Sequence, residues 1–194
     1  MPESGHESDH FHMWVGHCIT AWADLEDGLF EILWHVLSCP QERAAIVYYK
    51  TPSLDARLTL VDELVRFVLP QTKSGDQPHA DLRNWSAIKS DIAKGLGIRR
   101  RIAHQPVRSR KVTVALSSDD TLGKIELSYY EIYVSEMEAL RGKPAKPETL
   151  HINDLIEHEA GLQELTARIH TFDADVLAKH IPKPAEPNPH KTHG

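Results

Sequence analysis

The sequence is short of cysteine and has no long apolar run. Only Cys18 and Cys39 are present among its 194 residues, and they do not form a C-x-x-C pair. A disulfide framework is therefore not expected, and Cys18, on an apolar helical stripe, is predicted to pack as a small buried thiol. The first residues do not form the apolar region of a secretory signal peptide, and no apolar segment approaches the length that crosses a bilayer. We expect a cytoplasmic protein with no membrane partner.

Several common catalytic motifs are also missing. The sequence contains no P-loop, no G-x-G-x-x-G and no G-x-S-x-G. His158-Glu159 begins like the zinc motif H-E-x-x-H, but the position of the second histidine is Leu162. His158 falls on the core side of its predicted helix, so we interpret it as a packed, hydrogen-bonded histidine or an interface residue.

The thirteen histidines make a metal site the obvious rival hypothesis. His6 and His10 are four residues apart, and His10 and His17 are two helical turns apart. An N-terminal metal site is geometrically possible if the first helix begins early. Because terminal segments fray, this hypothesis ranks below the one that follows from the arginines.

Positive charge is scarce overall but concentrated in one place. The formal net charge of -6 argues against a protein that coats nucleic acid without specificity. Six cations nevertheless fall within thirteen residues: Arg99, Arg100, Arg101, Arg108, Arg110 and Lys111. Such a cluster is either a solvated basic face or a local anion site. The helical phase of Arg99 favours the anion site.

Apolar periodicity predicts a mainly α protein, a bundle of four to five helices with a small inserted β-hairpin. The length fits one domain over residues 9–181, after a flexible lead over 1–8 and before a Pro-rich disordered tail over 182–194. Gly28 is predicted to mark a close approach between helices. The predicted helices cover residues 9–37, 41–49, 54–69, a segment from Pro78 or Asp81 to His104, and 153–180, with the hairpin at about 111–134.

The fourth predicted helix carries the arginine cluster at its end. Its apolar stripe consists of Leu82, Trp85, Ile88, Ile92 and Leu96. Arg99 follows Leu96 by three residues and shares that stripe, and a buried guanidinium needs an anionic partner from the protein or from a ligand. Because Pro106 disfavours helical geometry at Gln105, we expect the helix to end near His104.

Arg99, four intervening residues and His104 resemble the R-x4–6-H signature of the HEPN superfamily. The order of elements over roughly residues 9–181 is similar too: a helical hairpin with Trp22, Leu25 and Glu26, the Arg-His helix, a strand-like insert and a final helix. The resemblance implies an up-and-down helical bundle that is usually dimeric. Many members are metal-independent endoribonucleases that need no cofactor, and in them the Arg and His of two protomers meet across the dimer cleft.

One residue departs from the family pattern. Active members commonly carry a small polar residue, often Asn, directly after the motif arginine, and this position is Arg100 here. The substitution leaves anion binding in place and puts cleavage in doubt.

Two hypotheses follow. In the first, the protein is a toxin-like ribonuclease in which His104 is the general acid or base and Arg99 stabilises charge on the phosphate. The other clustered cations would bind RNA, and Glu26, at the edge of the first helix, would support Arg99 or Arg101 unless it is an exposed rim glutamate. In the second, a non-catalytic helical module binds a nucleotide, RNA or a protein. A homodimer and an antitoxin-type protein are the other expected partners.

Overall fold

The computed structural model describes residues 4–69, 77–105, 107–115, 124–132 and 149–181. It is mainly helical with a small two-stranded antiparallel sheet, which confirms the predicted fold class. The elements are α1 (Ser4–Leu37), α2 (Gln41–Lys50), α3 (Leu54–Val68), α4 (Gln77–His104), β1 (Val107–Ala115), β2 (Lys124–Ile132) and α5 (Ile152–Phe172). The predicted hairpin turn, the segment to Leu140 that the sequence leaves open between strand and short helix, the predicted loop over 141–148 and the predicted disordered tail lie outside the described residues.

Element boundaries differ from the predictions in segments that are rich in polar residues, where apolar periodicity is weak. Helix α1 begins at Ser4, so residues 4–8 are helical although a flexible lead was predicted. Helix α5 begins at Ile152, where the Asp154 carboxylate accepts a hydrogen bond from the His151 backbone N–H at 2.7 Å, and not after the predicted cap Asn153. Strand β1 begins at Val107, earlier than predicted. Its first residues are mostly charged or polar and lack apolar alternation, so the sequence pattern does not indicate a strand there.

Contacts divide the chain into two compact units, each discontinuous in sequence. The first comprises Met1–Ala21 and Gly97–Gly161, and the second comprises Trp22–Leu96 and Leu162–Gly194. The prediction that residues 9–181 form a single domain stays a prediction.

The first unit has a core built from α1, α4, the hairpin and the start of α5. Its buried members are Phe11, Cys18, Ile102, Ile132, Leu150 and Leu155. Leu150 extends the hairpin by a single antiparallel bridge to Ile132. The free thiol of Cys18 donates to the Leu155 carbonyl at 3.3 Å, and burial, with the charge of Glu159 nearby, raises its pKa to about 11. Cys18 is thus a buried, unreactive thiol, as predicted.

The second unit packs α1, α2, α3 and the first part of α4 around buried apolar residues that include Trp22 and Trp85. A Cβ atom on Gly28 would lie 3.1 Å from the Ile169 side chain, which confirms that Gly28 marks a close approach between helices. After Phe172 the chain continues through a π-helical segment, Asp173–Leu177, and a final turn, Ala178–His180. This segment holds Asp173 in a buried position.

Asp62 on α3 is a buried carboxylate with three donors. Trp85 Nε1 and Arg66 Nε donate to Oδ1 at 2.9 and 2.8 Å, and Lys89 Nζ donates to Oδ2 at 2.5 Å. Burial raises the pKa of this carboxyl, but the hydrogen bonds from Lys89, Trp85 and Arg66 outweigh burial and hold the pKa below 3.8. Asp62 therefore joins α3 to α4 in its ionised form.

Asp62→Asn is expected to lower the free energy of unfolding by about 1.5–3 kcal/mol at neutral pH, because it weakens hydrogen bonds to a charged group. The ionised carboxylate stabilises the wild type above pH 3.8, and this stabilisation is lost as the pH falls through the lowered pKa of Asp62. The difference between the two proteins should therefore shrink below that pH. Urea unfolding at a series of pH values measures it, with Glu63→Gln, an exposed neighbour on α3, as the control. A difference that is constant into strong acid would contradict this role.

Candidate nucleic-acid interface

The last two turns of α4 place the arginine cluster and His104 at the surface of the first unit. Helix α4 ends at His104, as predicted, and the Gln105 N–H closes the final turn by donating to the Arg101 carbonyl at 3.0 Å. Buried Leu96 and Ile102 anchor these turns in the protein. Arg99 is half-buried rather than buried, and His104 is exposed. The helix end thus packs on the protein through these two residues, while Arg99 partly and His104 largely reach solvent.

Helical geometry sets which motif side chains share a face. Successive residues are rotated by about 100°, so Arg99 and His104 point roughly 140° apart around α4. Arg100 and Arg101 precede His104 by four and three residues, and these spacings place side chains side by side. Within one chain, the neighbours of His104 on the helix are therefore Arg100 and Arg101.

Strand β1 continues the basic surface beyond the helix. Arg108, Arg110 and Lys111 are all exposed on it. No acidic residue occurs in the sequence between Asp91 and Asp119, so the basic segment, residues 99–111, has no acidic neighbour along the chain. A run of cations of this kind attracts a polyanion even in a protein with a negative net charge.

Glu131 on β2 is the acidic residue that meets this surface from the neighbouring strand. The register pairs Arg108 with Glu131 and Arg110 with Tyr129. The Glu131 side chain is buried and forms an ion pair with Arg110, with 2.5 Å between Nε and Oε1. This contact fixes the Arg110 stem on the hairpin and offsets part of its charge. This ion pair is not predictable from the sequence, since it depends on the hairpin register.

Glu26, the predicted supporting carboxylate, lies in the second unit. Its Oε2 accepts a hydrogen bond from Arg57 Nη1 on α3 at 2.8 Å. The Arg57 guanidinium also lies over the Tyr48 and Tyr49 rings, 5.1 and 5.6 Å from their centroids. Glu26 thus contributes to an ion pair and aromatic cluster between helices, and its support of Arg99 or Arg101 stays a prediction.

Arg101 lines a charged pocket that the sequence did not reveal. This pocket, of about 500 Å³, is walled by Ile98 and Arg101 of α4, by Thr149 and Leu150, and by Asp154, Glu157 and His158 of α5. Burial lowers the pKa of His158, so this imidazole is neutral at neutral pH. His158 is half-buried, in agreement with its interpretation as a packed histidine. The two carboxylates of the wall make this pocket a poor place for a phosphate.

A second pocket, of about 460 Å³, opens beside β2. We call it the aromatic pocket because its walls include His10 and Phe11 of α1, Tyr129 and Tyr130 of β2, and His151. The Tyr129 and His151 rings lie 5.8 Å apart between centroids. The sequence predicts only that Tyr129 lies on a strand, because nothing in it places His151 next to Tyr129.

The histidines do not assemble into a metal centre within the described ranges, where no three His, Cys, Asp or Glu side chains are grouped so as to hold an ion. At the N-terminal end, His10 accepts a hydrogen bond from Trp14 Nε1 at 3.2 Å. Among all the residues that the structure describes, no helix is both long and apolar enough to cross a membrane.

No protein-family model, curated protein or solved structure matches this chain. The HEPN resemblance therefore depends on the Arg99–His104 motif and on the order of elements, and it stays a prediction. Chemically, the surface supplies a proton-transfer group on a helix end beside a row of guanidinium groups.

Proposed function

We propose that this protein is a HEPN-type RNA-binding protein that cleaves RNA without a metal, acting as a homodimer in the cytoplasm. The observation that carries the proposal is the exposed His104 at the end of α4, next to the exposed basic side chains of β1. Phosphate contacts supply most of the affinity of a nucleic-acid-binding surface, and arginine is the side chain that binds phosphate best through two bonds.

Arg99 and His104 have the chemistry that RNA cleavage needs. An imidazole takes a proton from the ribose 2′-hydroxyl, or gives one to the leaving oxygen, near neutral pH. A guanidinium stabilises the negative charge that develops on the phosphate. Because the attacking nucleophile is the neighbouring 2′-hydroxyl, the product carries a 2′,3′-cyclic phosphate.

A second copy of the chain would complete the site. Arg99 and His104 point roughly 140° apart on one helix, so a single phosphate is not readily bound by both from the same chain. Two α4 ends facing each other across a two-fold axis would bring Arg99 of one chain to His104 of the other. Twofold pairing is also the commonest form of oligomer.

A second candidate function is RNA binding without cleavage, and Arg100 favours it. This residue is exposed on the face of His104, at the position where active family members carry a small polar residue. Arg100 thus puts a long cationic side chain beside His104, one helical turn away. In that case, an antitoxin-type protein or an RNA would be the partner of a degenerate site.

The test compares wild type with Arg100→Asn on single-stranded RNA. We expect cleavage by the wild type to survive a chelator and to yield 2′,3′-cyclic phosphate ends, detected by mass spectrometry. Arg100→Asn should cleave faster because it restores the small polar residue that active family members carry at this position. Arg83→Asn, at an exposed position on the same helix, is the matched control and should behave as wild type.

Three outcomes separate the candidates, and a fourth would overturn both. Chelator-resistant cleavage supports the enzyme. An inactive wild type that binds RNA, with cleavage gained in Arg100→Asn, supports a degenerate enzyme used for binding. Two inactive proteins that both bind RNA would overturn the enzyme proposal and leave the binding function. Absence of RNA binding at low salt would overturn both.

A further inference from the structure

The aromatic pocket has the volume and the lining of a site for a flat, unsaturated ring. Phe11 and Tyr130 lie 6.4 Å apart between centroids, and Tyr129 packs against His151. Its volume of about 460 Å³ falls in the range of small-molecule sites. Aromatic rings arranged in this way stack on a planar ligand.

The rim of the pocket adds polar groups and one negative charge. Glu7 and His10 line it from α1, and Ser128 lines it from β2. A carboxylate and a hydroxyl accept hydrogen bonds from exocyclic amino groups, which adenine, guanine and cytosine carry. The Glu7 carboxylate also repels phosphate, so an anionic ligand would enter with its uncharged ring first.

The hairpin register places cations next to this pocket. Tyr129 is directly opposite Arg110, and directly opposite residues of an antiparallel pair share a face of the sheet. Arg108 lies two residues from Arg110 and therefore on the same face. Glu131, directly opposite Arg108, shares this face and offsets part of the charge of Arg110, so Arg108 supplies the larger part of the positive charge. A ligand with a ring in the pocket and a phosphate on the hairpin would meet both groups at once.

We infer that the aromatic pocket binds an unpaired base of single-stranded RNA, while Arg108 and Arg110 hold the adjoining phosphate. This inference rests on the proposed function, because it assigns the substrate to single-stranded RNA. Single strands are recognised in this way in general, by aromatic side chains that stack on bases and by cations that follow the backbone. A double helix would keep its bases out of the pocket.

The experiment separates base binding from phosphate binding. Binding of a fluorescein-labelled 2′-O-methyl oligoadenylate, which this chemistry cannot cleave, is measured by anisotropy and compared with an abasic oligomer of equal length. Tyr129→Ala should raise the Kd of the oligoadenylate roughly 5- to 140-fold and leave the Kd of the abasic oligomer unchanged. Tyr129→Phe keeps the ring and should bind as wild type. Arg108→Ala should weaken both oligomers.

His151→Ala, an exposed position where folding is not at risk, should also weaken only the oligoadenylate. Phe67→Ala, which removes an exposed aromatic side chain from α3, should change neither Kd. Base binding in the pocket would be overturned if wild type bound the two oligomers with equal Kd values. It would also be overturned if Tyr129→Ala and His151→Ala weakened the oligoadenylate and the abasic oligomer equally. Either result would leave RNA binding intact. Failure of the proposed function is distinguishable, since the wild type would then bind neither oligomer at low salt.

Discussion

Replacing His35 with alanine is expected to lower the free energy of unfolding by about 3–5 kcal/mol, because it leaves a buried carboxylate without its ring donor. His35 Nδ1 lies 2.6 Å from Asp173 Oδ1, and its Nε2 lies 2.7 Å from the Ile181 carbonyl oxygen. Both side chains of the pair are almost fully buried. Loss of the ring also leaves a cavity, which adds to the cost. Urea unfolding followed by circular dichroism measures the loss.

His35 makes one hydrogen bond through each ring nitrogen. A backbone carbonyl only accepts hydrogen bonds, so Nε2 donates to Ile181. Nδ1 makes the second hydrogen bond, with the Asp173 carboxyl. Asp173→Asn should therefore cost less than His35→Ala, because a neutral imidazole can accept a hydrogen bond from the new amide through Nδ1.

The chain supplies a matched control for this buried pair. His170 and Glu31 form an ion pair at 3.3 Å, but both side chains are about half exposed. His170→Ala should cost less than about 1 kcal/mol, the range for exposed pairs. Equal losses for His35→Ala and His170→Ala would contradict the view that burial makes the first pair important.

Local periodicity was sufficient to predict the helices and several of their internal features. Residue spacing or residue type predicts three of these features. They are the apolar stripe of α1, the end of α4 at His104 and the close approach between helices at Gly28. Strand β1 was only half predicted, because the alternating apolar signal begins at Val112. The charged first half pairs with β2 through backbone hydrogen bonds, which do not depend on an apolar side-chain pattern.

The candidate site was predictable only where it is contiguous in sequence. The segment from Arg99 to His104 spans about one and a half helical turns, so helical phase predicts which of its side chains are exposed. Arg99 is nevertheless more exposed than its place on the apolar stripe suggested. The partner of Arg110, the partner of Glu26 and the aromatic pocket all depend on residues far apart along the chain. The π-helical segment, Asp173–Leu177, was not predicted either, since the apolar spacing of the last helix does not distinguish it from an α-helix.

His104→Ala is expected to reduce the rate of RNA cleavage by about 10²–10⁴-fold, the usual effect of losing one general acid–base group. Arg99→Ala should be comparably damaging, because it removes the stabiliser of charge on the phosphate. His17→Ala and Arg83→Ala, both at exposed positions, are the matched controls for side-chain type. Persistent activity in His104→Ala would show that the assigned site is wrong.

Mixing the two inactive variants then tests whether the site is shared between chains. In a dimer of one Arg99→Ala chain and one His104→Ala chain, a shared site retains both native side chains in one of its two copies. Activity should therefore return after the variants are unfolded together and refolded. If Arg99 and His104 act within one chain, neither copy is complete and the mixture stays inactive. Recovery would place the catalytic pair across the twofold axis, as the 140° separation of these side chains on α4 leads us to expect.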